Sequence, residues 1–210
     1  MPFHSPESPY TFSFVTGALF VPETLAVAGK LRLDRDWKNV SSAVRSENLL
    51  RQRTQASTAR LFREIRYRLD ELSPAELDFL VAADPPDQRL LLFITVCRRY
   101  RFIREFTTDV LLPKIRGAET QVYPGDIIRF IENRGAVAPE VEKLTDNSRS
   151  KVRQVILRIL SEAGLLDSTG SQKLLRPMPS RSLAKMIAKC DVKQLRWLLL
   201  SDEEIHQITH

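Results

Sequence analysis

The 210-residue chain is 43% apolar and 28% charged, which excludes wholesale disorder, and only seven glycines in a Leu-, Arg-, Ala- and Glu-rich sequence favour helix over sheet. A formal net charge of +6 suggests a polyanionic partner without proving one. Cys97 and Cys190 lie in no CxxC or Cys/His pattern, which argues against a disulfide framework or zinc site and reads as two reduced, buried thiols.

Residues 1–15, with Pro2, Pro6 and Pro9, read as an extended arm. No basic region precedes an apolar core here, so a secretory signal is not expected. Pro22 opens a first helix that runs to about Gly29. Asp36 caps a second, to about Leu49, with Trp37, Val40 and Val44 inward. Thr54 starts a third, over 55–72, whose apolar stripe is Leu61, Phe62, Ile65, Leu69 and Leu72. Arg53, Arg60, Arg63 and Tyr67 fall on its other side. Ser73-Pro74-Ala75-Glu76 is a capping box.

After Pro85-Pro86, residues 87–112 read as one long central helix. Its apolar run Leu90–Cys97 is too short to cross a membrane. Arg98, Arg99, Arg101 and Arg104 alternate with Tyr100, Phe102 and Phe106, aromatics better explained by packing than by base stacking. The region 16–118 is thus a helical N-terminal unit, and 119–210 a second one. In the second, Pro124 opens one helix, Pro139 a short one, and Thr145 or Asp146 a long one to about Ala163. A turn at 167–170 follows, and Lys173–Arg176 could form a strand of a short β-wing near 165–177. Ser180 and Ser201 start the last helices. The fold class expected is all-α, with helix-turn-helix-like units and a winged-helix-like C-terminal region.

No nucleotide loop, nucleophile elbow or zinc motif is present. The expectation is a protein that is not an enzyme and needs no cofactor or metal. His206 and His210 have metal-compatible spacing but no third ligand nearby.

The positive signals are basic helix starts. Residues 45–70 hold seven arginines against three acids. Arg51, Arg53, Thr54, Ser57, Arg60 and Arg63 surround the start of the third helix. Guanidinium forks suit phosphate and guanine, and a helix start suits an anion or a major groove. An amphipathic helix whose arginines pair with the acidic 71–87 stretch fits this pattern equally well. In the second unit, Asn147, Ser148, Arg149, Lys151, Arg153 and Arg158 decorate the long helix, and Lys173 and Arg176 the turn beyond it. The alternative there is a plain helical hairpin.

Four blocks carry a family resemblance: TGALFVPET at 16–24, NLLRQRT at 48–54, CRRYRFIREF at 97–106, and LTDNSRSKVRQ at 144–154 ending in EAGLL at 162–166. In this order they resemble the BrxA family of BREX bacteriophage-exclusion systems. The resemblance implies an all-helical fold likened to the antitermination factor NusB, double-stranded DNA binding, and an operon that also encodes a methyltransferase and ATPases. It supplies no catalytic residues. The reading is a cytoplasmic, non-catalytic DNA-binding accessory protein, with other BREX proteins or a second copy of the chain as further partners. The alternatives are a protein-interaction scaffold and an RNA-binding regulator.

Overall fold

Helix boundaries follow from local start chemistry. The computed structural model describes residues 9–209. Helix α1 (Val21–Asp34) carries Pro22 in its first turn, and α2 (Trp37–Ser46) is capped by Asp36, whose carboxylate accepts the Lys38 N–H at 2.9 Å. The Thr54 hydroxyl accepts the Ser57 N–H at 3.1 Å to start α3 (Gln55–Leu69). The Ser73–Glu76 capping box starts α4 (Pro74–Ala82). Then come α5 (Pro85–Arg99), α6 (Arg101–Phe106), a π-helical turn (Thr107–Leu111) and α7 (Leu112–Arg116). The second half comprises α8 (Pro124–Gly135), α9 (Pro139–Glu142), α10 (Asp146–Glu162), α11 (Arg181–Asp191), a 3₁₀ segment (Val192–Leu198) and α12 (Asp202–Thr209).

Every residue from Leu90 to Arg98 is buried, so α5 is the central rod. It packs against α1, α3, α4, α10 and the 3₁₀ segment. One contiguous buried cluster runs through both halves of the chain. The single helix expected over 87–112 is interrupted at Tyr100, where the backbone is extended (φ −113°, ψ 98°). The break accompanies a fully buried ring whose hydroxyl lies 2.9 Å from Ser13 Oγ and donates to Glu64. Pro113 lies two residues past the π-helical turn; its missing N–H could not have continued a regular ladder.

Among the described residues no β-strand forms. The wing region closes instead with two isolated antiparallel bridges, Leu166↔Leu174 and Gln121↔Lys173. The Leu174 N–H donates to the Thr120 carbonyl at 2.7 Å and the Leu175 N–H to the Leu165 carbonyl at 2.9 Å. Lys173–Arg176 is therefore bridged locally rather than paired as a strand: Asp167 gathers the turn by accepting the Ser168 and Lys173 N–H groups at 2.6 and 2.9 Å, and Lys173 and Leu174 each bridge to a different segment, so no ladder extends.

Pro2, Pro6 and the rest of 1–8 lie outside the described residues. From Tyr10 onward the chain is tied down. The Tyr10 N–H donates to Glu140 at 2.7 Å, its hydroxyl donates to Glu105 at 2.5 Å, and Phe14 is fully buried. The Leu19 N–H donates to Glu162 of α10 at 2.8 Å. Burial raises the Tyr10 hydroxyl to a pKa of about 12, with the Glu105 bond and charge adding to it. Cys97 is buried, and burial pushes its thiol up. Cys190 is exposed, against expectation: it follows the inward set Leu183, Ala184 and Ile187, in the last turn of α11.

Candidate nucleic-acid interface

Helix α3 sorts its charges by face. Glu64 and Arg68 sit three and seven residues beyond Leu61, so they share its buried side. Arg68 donates to Glu64 at 2.9 Å and to the Ala18 carbonyl at 2.6 Å. Arg51, Arg53, Arg60 and Arg63 are exposed and form no ion pair among the described residues. The acidic stretch does not neutralise them. Glu71 lies 3.9 Å from Arg99, Glu76 is held by Arg98, Asp78 by Arg35, and Asp87 accepts the Ser180 N–H. Arg66, 3.7 Å from Asp70, is the loosely paired exception on the exposed side. The Thr54 and Ser57 hydroxyls are engaged in the cap, with the Ser57 hydroxyl donating to the Thr54 carbonyl at 2.8 Å.

On α10 the spacing of Asn147, Lys151, Gln154 and Arg158 is i, i+4, i+7, i+11, and all four are exposed. They form one stripe about 16 Å long. Lys151, Arg153 and Arg158 make no ion pair among the described residues, and neither does the exposed Lys173. Two other sequence candidates are already occupied. The Arg149 guanidinium donates to the Leu144 and Glu142 carbonyls at 3.0 and 3.2 Å, fixing the turn between α9 and α10. Arg176 is paired with Glu204 at 2.7 Å. Ser148 supplies its N–H to the Thr145 cap at 3.2 Å.

The C-terminal end of the α10 stripe and the start of α3 are joined over the surface. Arg158 lines a depression with Arg89, Pro22 and Glu23. Pro22 and Glu23 also line the next depression, with Asn48 and Arg51. Asn48 in turn lines a cleft of about 300 Å³ between α2 and α3, with Arg45 and Arg53. These neighbouring hollows make a track from the α10 stripe, across the start of α1, to the start of α3. Its arginines stand in solvent.

The sequence counts Arg45 among the arginines of 45–70 but does not place it at a contact, and it gives no such role to Arg89 or Asn48. Arg89 and Arg158 lie far apart in the chain, and only packing of α5 beside α10 brings them together. Among the described residues no three His, Cys, Asp or Glu side chains are grouped to hold a metal ion. No helix there is long and apolar enough to cross a membrane.

This helical architecture is shared with a crystal structure of an uncharacterized protein from Magnetospirillum magneticum. The TM-score is 0.77 at 18% identity, covering 91% of this chain and 98% of that one. The family model for BrxA matches residues 8–191, and the chain belongs to the BrxA family. It is similar to the BREX protein BrxA of Bacillus cereus (strain H3081.97), 25% identical over 134 residues, spanning 63% of this chain and 67% of the relative. It is also similar to the BREX protein BrxA of Escherichia coli O9:H4 (strain HS), 20% identical over 158 residues, 75% of this chain and 74% of the relative.

Proposed function

We propose that this chain serves BREX anti-phage defence as a cytoplasmic, non-catalytic accessory protein that binds double-stranded DNA, with other BREX proteins as its expected companions. The observation that carries the reading is the track itself: unpaired cations from two distant helices brought into adjoining hollows. Arg158, Arg51 and Arg53 line those hollows, and together with Lys151 on the α10 stripe and Arg60 and Arg63 on the exposed side of α3 they would contact phosphates. The 16 Å stripe corresponds to about five base-pair steps of duplex. Arg149 and Arg176 act as supports, holding the α9–α10 turn and the bridged turn in place.

Because phosphates are the main target, binding is weakly sequence-selective and falls steeply with salt. Asn147 and Gln154 on the stripe are the residues suited to reading base edges. The test is a titration of duplex DNA by Lys151→Ala/Arg158→Ala across a salt series. Losing two phosphate contacts lowers the log–log salt slope by about 2 and weakens all sequences alike. Absence of duplex binding by the parent protein at low salt, or a double variant with unchanged slope and affinity, overturns the proposal.

A further inference from the structure

The cleft between α2 and α3 has a composition unlike the neighbouring hollows. The hollow between α8 and α10 includes Glu132 and Asp146, and those along the track include Glu23. The α2–α3 cleft is lined by no carboxylate at all. It carries Arg45 and Arg53, neither of them in an ion pair among the described residues. It also carries three carboxamides, Asn48, Gln52 and Gln55, and its apolar wall includes Phe62, whose ring meets Trp37 edge-on at 6.0 Å.

Each part selects a feature of the ligand. A carboxamide offers donor and acceptor side by side, the pattern that pairs with a nucleobase edge. Gln52 donates to the Leu50 carbonyl at 3.0 Å, and its amide oxygen has no partner among the described residues. Asn48 and Gln55 side chains likewise make no hydrogen bond there. Phe62 gives a flat apolar surface for a ring. Two guanidiniums without acidic neighbours in the cleft select an anion, and phosphate matches their fork. A volume of about 300 Å³ is at the lower end for ligand pockets and suits one nucleotide rather than two.

We infer that this cleft binds a single nucleotide, its base among the carboxamides beside Phe62 and its phosphate between Arg45 and Arg53. The occupant is either a free mononucleotide or one unpaired nucleotide of DNA on the track. The second source rests on the DNA-binding reading; the first does not.

The experiment uses the full chain. The probes are the four 2′-deoxynucleoside 5′-monophosphates, the corresponding nucleosides and inorganic phosphate, followed by calorimetry. A duplex with one bulged 2-aminopurine is compared with its fully paired counterpart, followed by fluorescence. Ala59 lines the cleft and is exposed on α3, so Ala59→Trp fills the space without disturbing the core. Arg45→Glu on the exposed face of α2 provides an independent block. At least one monophosphate binds tenfold or more tightly than its nucleoside and than phosphate, or the bulged duplex binds tenfold more tightly than the paired one. Both variants remove that preference. The first preference identifies a free nucleotide, the second a nucleotide within DNA. Neither preference, or a preference that survives both variants, overturns the inference. Paired-duplex binding and its loss in Lys151→Ala/Arg158→Ala report separately on the track, so either conclusion can fail alone.

Discussion

Replacing Arg98 with methionine tests what holds α5 to α4 and the 3₁₀ segment. The guanidinium is fully buried and donates three ways: to Glu76 at 2.5 Å, to the Glu71 carbonyl at 2.8 Å and to the Gln194 side chain at 3.0 Å. Methionine fills much of the same space but leaves Glu76, only 3% exposed, without its counter-charge. Removing one member of a buried ion pair costs about 3–5 kcal/mol, a large part of the 5–15 kcal/mol typical of a whole domain. With a urea dependence of about 2 kcal/mol per molar, the midpoint falls by roughly 1.5–2.5 M. Equilibrium urea unfolding followed by far-UV circular dichroism measures it.

Adding Glu76→Met removes the stranded carboxylate and recovers about 1 kcal/mol or more, despite the lost capping bond. Acid supplies a second reading. Burial raises the Glu76 carboxyl, but the Arg98 guanidinium and the bonds from Ser73 outweigh it and hold the group below its ordinary 4.5. A depressed carboxyl stabilises above its unfolded value and loses that contribution as pH falls through the folded one. The gap between parent and Arg98→Met therefore narrows below pH 4.5. A midpoint shift under about 0.5 M at neutral pH, or a gap indifferent to acid, refutes the argument that this ion pair stabilises the core.

Three further outcomes follow from other residues. Arg149→Ala loses two hydrogen bonds to the α9–α10 turn, so it lowers the urea midpoint by about 1 kcal/mol equivalent and weakens duplex binding less than Lys151→Ala does; the reverse ranking in a binding titration would make Arg149 a direct contact. Tyr10 has its hydroxyl raised to about 12, so the stability it lends is complete below 10 and fades as pH climbs toward 12; Tyr10→Phe unfolding curves lack that alkaline decline, and identical slopes for both proteins would exclude Tyr10 as its source. Cys190 reacts with a thiol reagent in the native protein while Cys97 waits for unfolding, and two equally fast thiols in a stopped-flow trace would show α5 to be accessible.

Much of this was readable from spacing and caps. Asp36, Thr54, Ser73, Thr145, Ser180 and Ser201 each announce a helix, because short polar side chains satisfy the first free N–H groups locally. The exposed arginines of α3 follow from helical periodicity. Glu64 and Arg68 were also within reach, since both fall on the side of Leu61 and Ile65, yet a charge pair on an apolar face is easily counted as solvated. The break at Tyr100 was hidden. Nothing in CRRYRFIREF punctuates a helix, and the ring's partners, Ser13 and Glu64, come from remote segments. Arg149 and Lys151 look alike in sequence, and only the carbonyls of the preceding turn separate a clamp from a free cation. The track is a product of packing, because its members come from α1, α2, α3, α5 and α10.

The anchoring of residues 10–19 has a consequence for biosynthesis. Tyr10 is bonded to a residue 130 positions later and Leu19 to one 143 positions later. At about 5–20 residues per second, the ribosome delivers Glu162 some 7–30 s after Leu19. Until then the Leu19 N–H has no Glu162 to meet, and the aromatic residues Tyr10, Phe12 and Phe14 must first wait for Tyr100 and Phe102 to be made. The nascent chain thus carries an unsatisfied sticky end through most of its synthesis, and slow, long-range closure is the expected last step of its maturation.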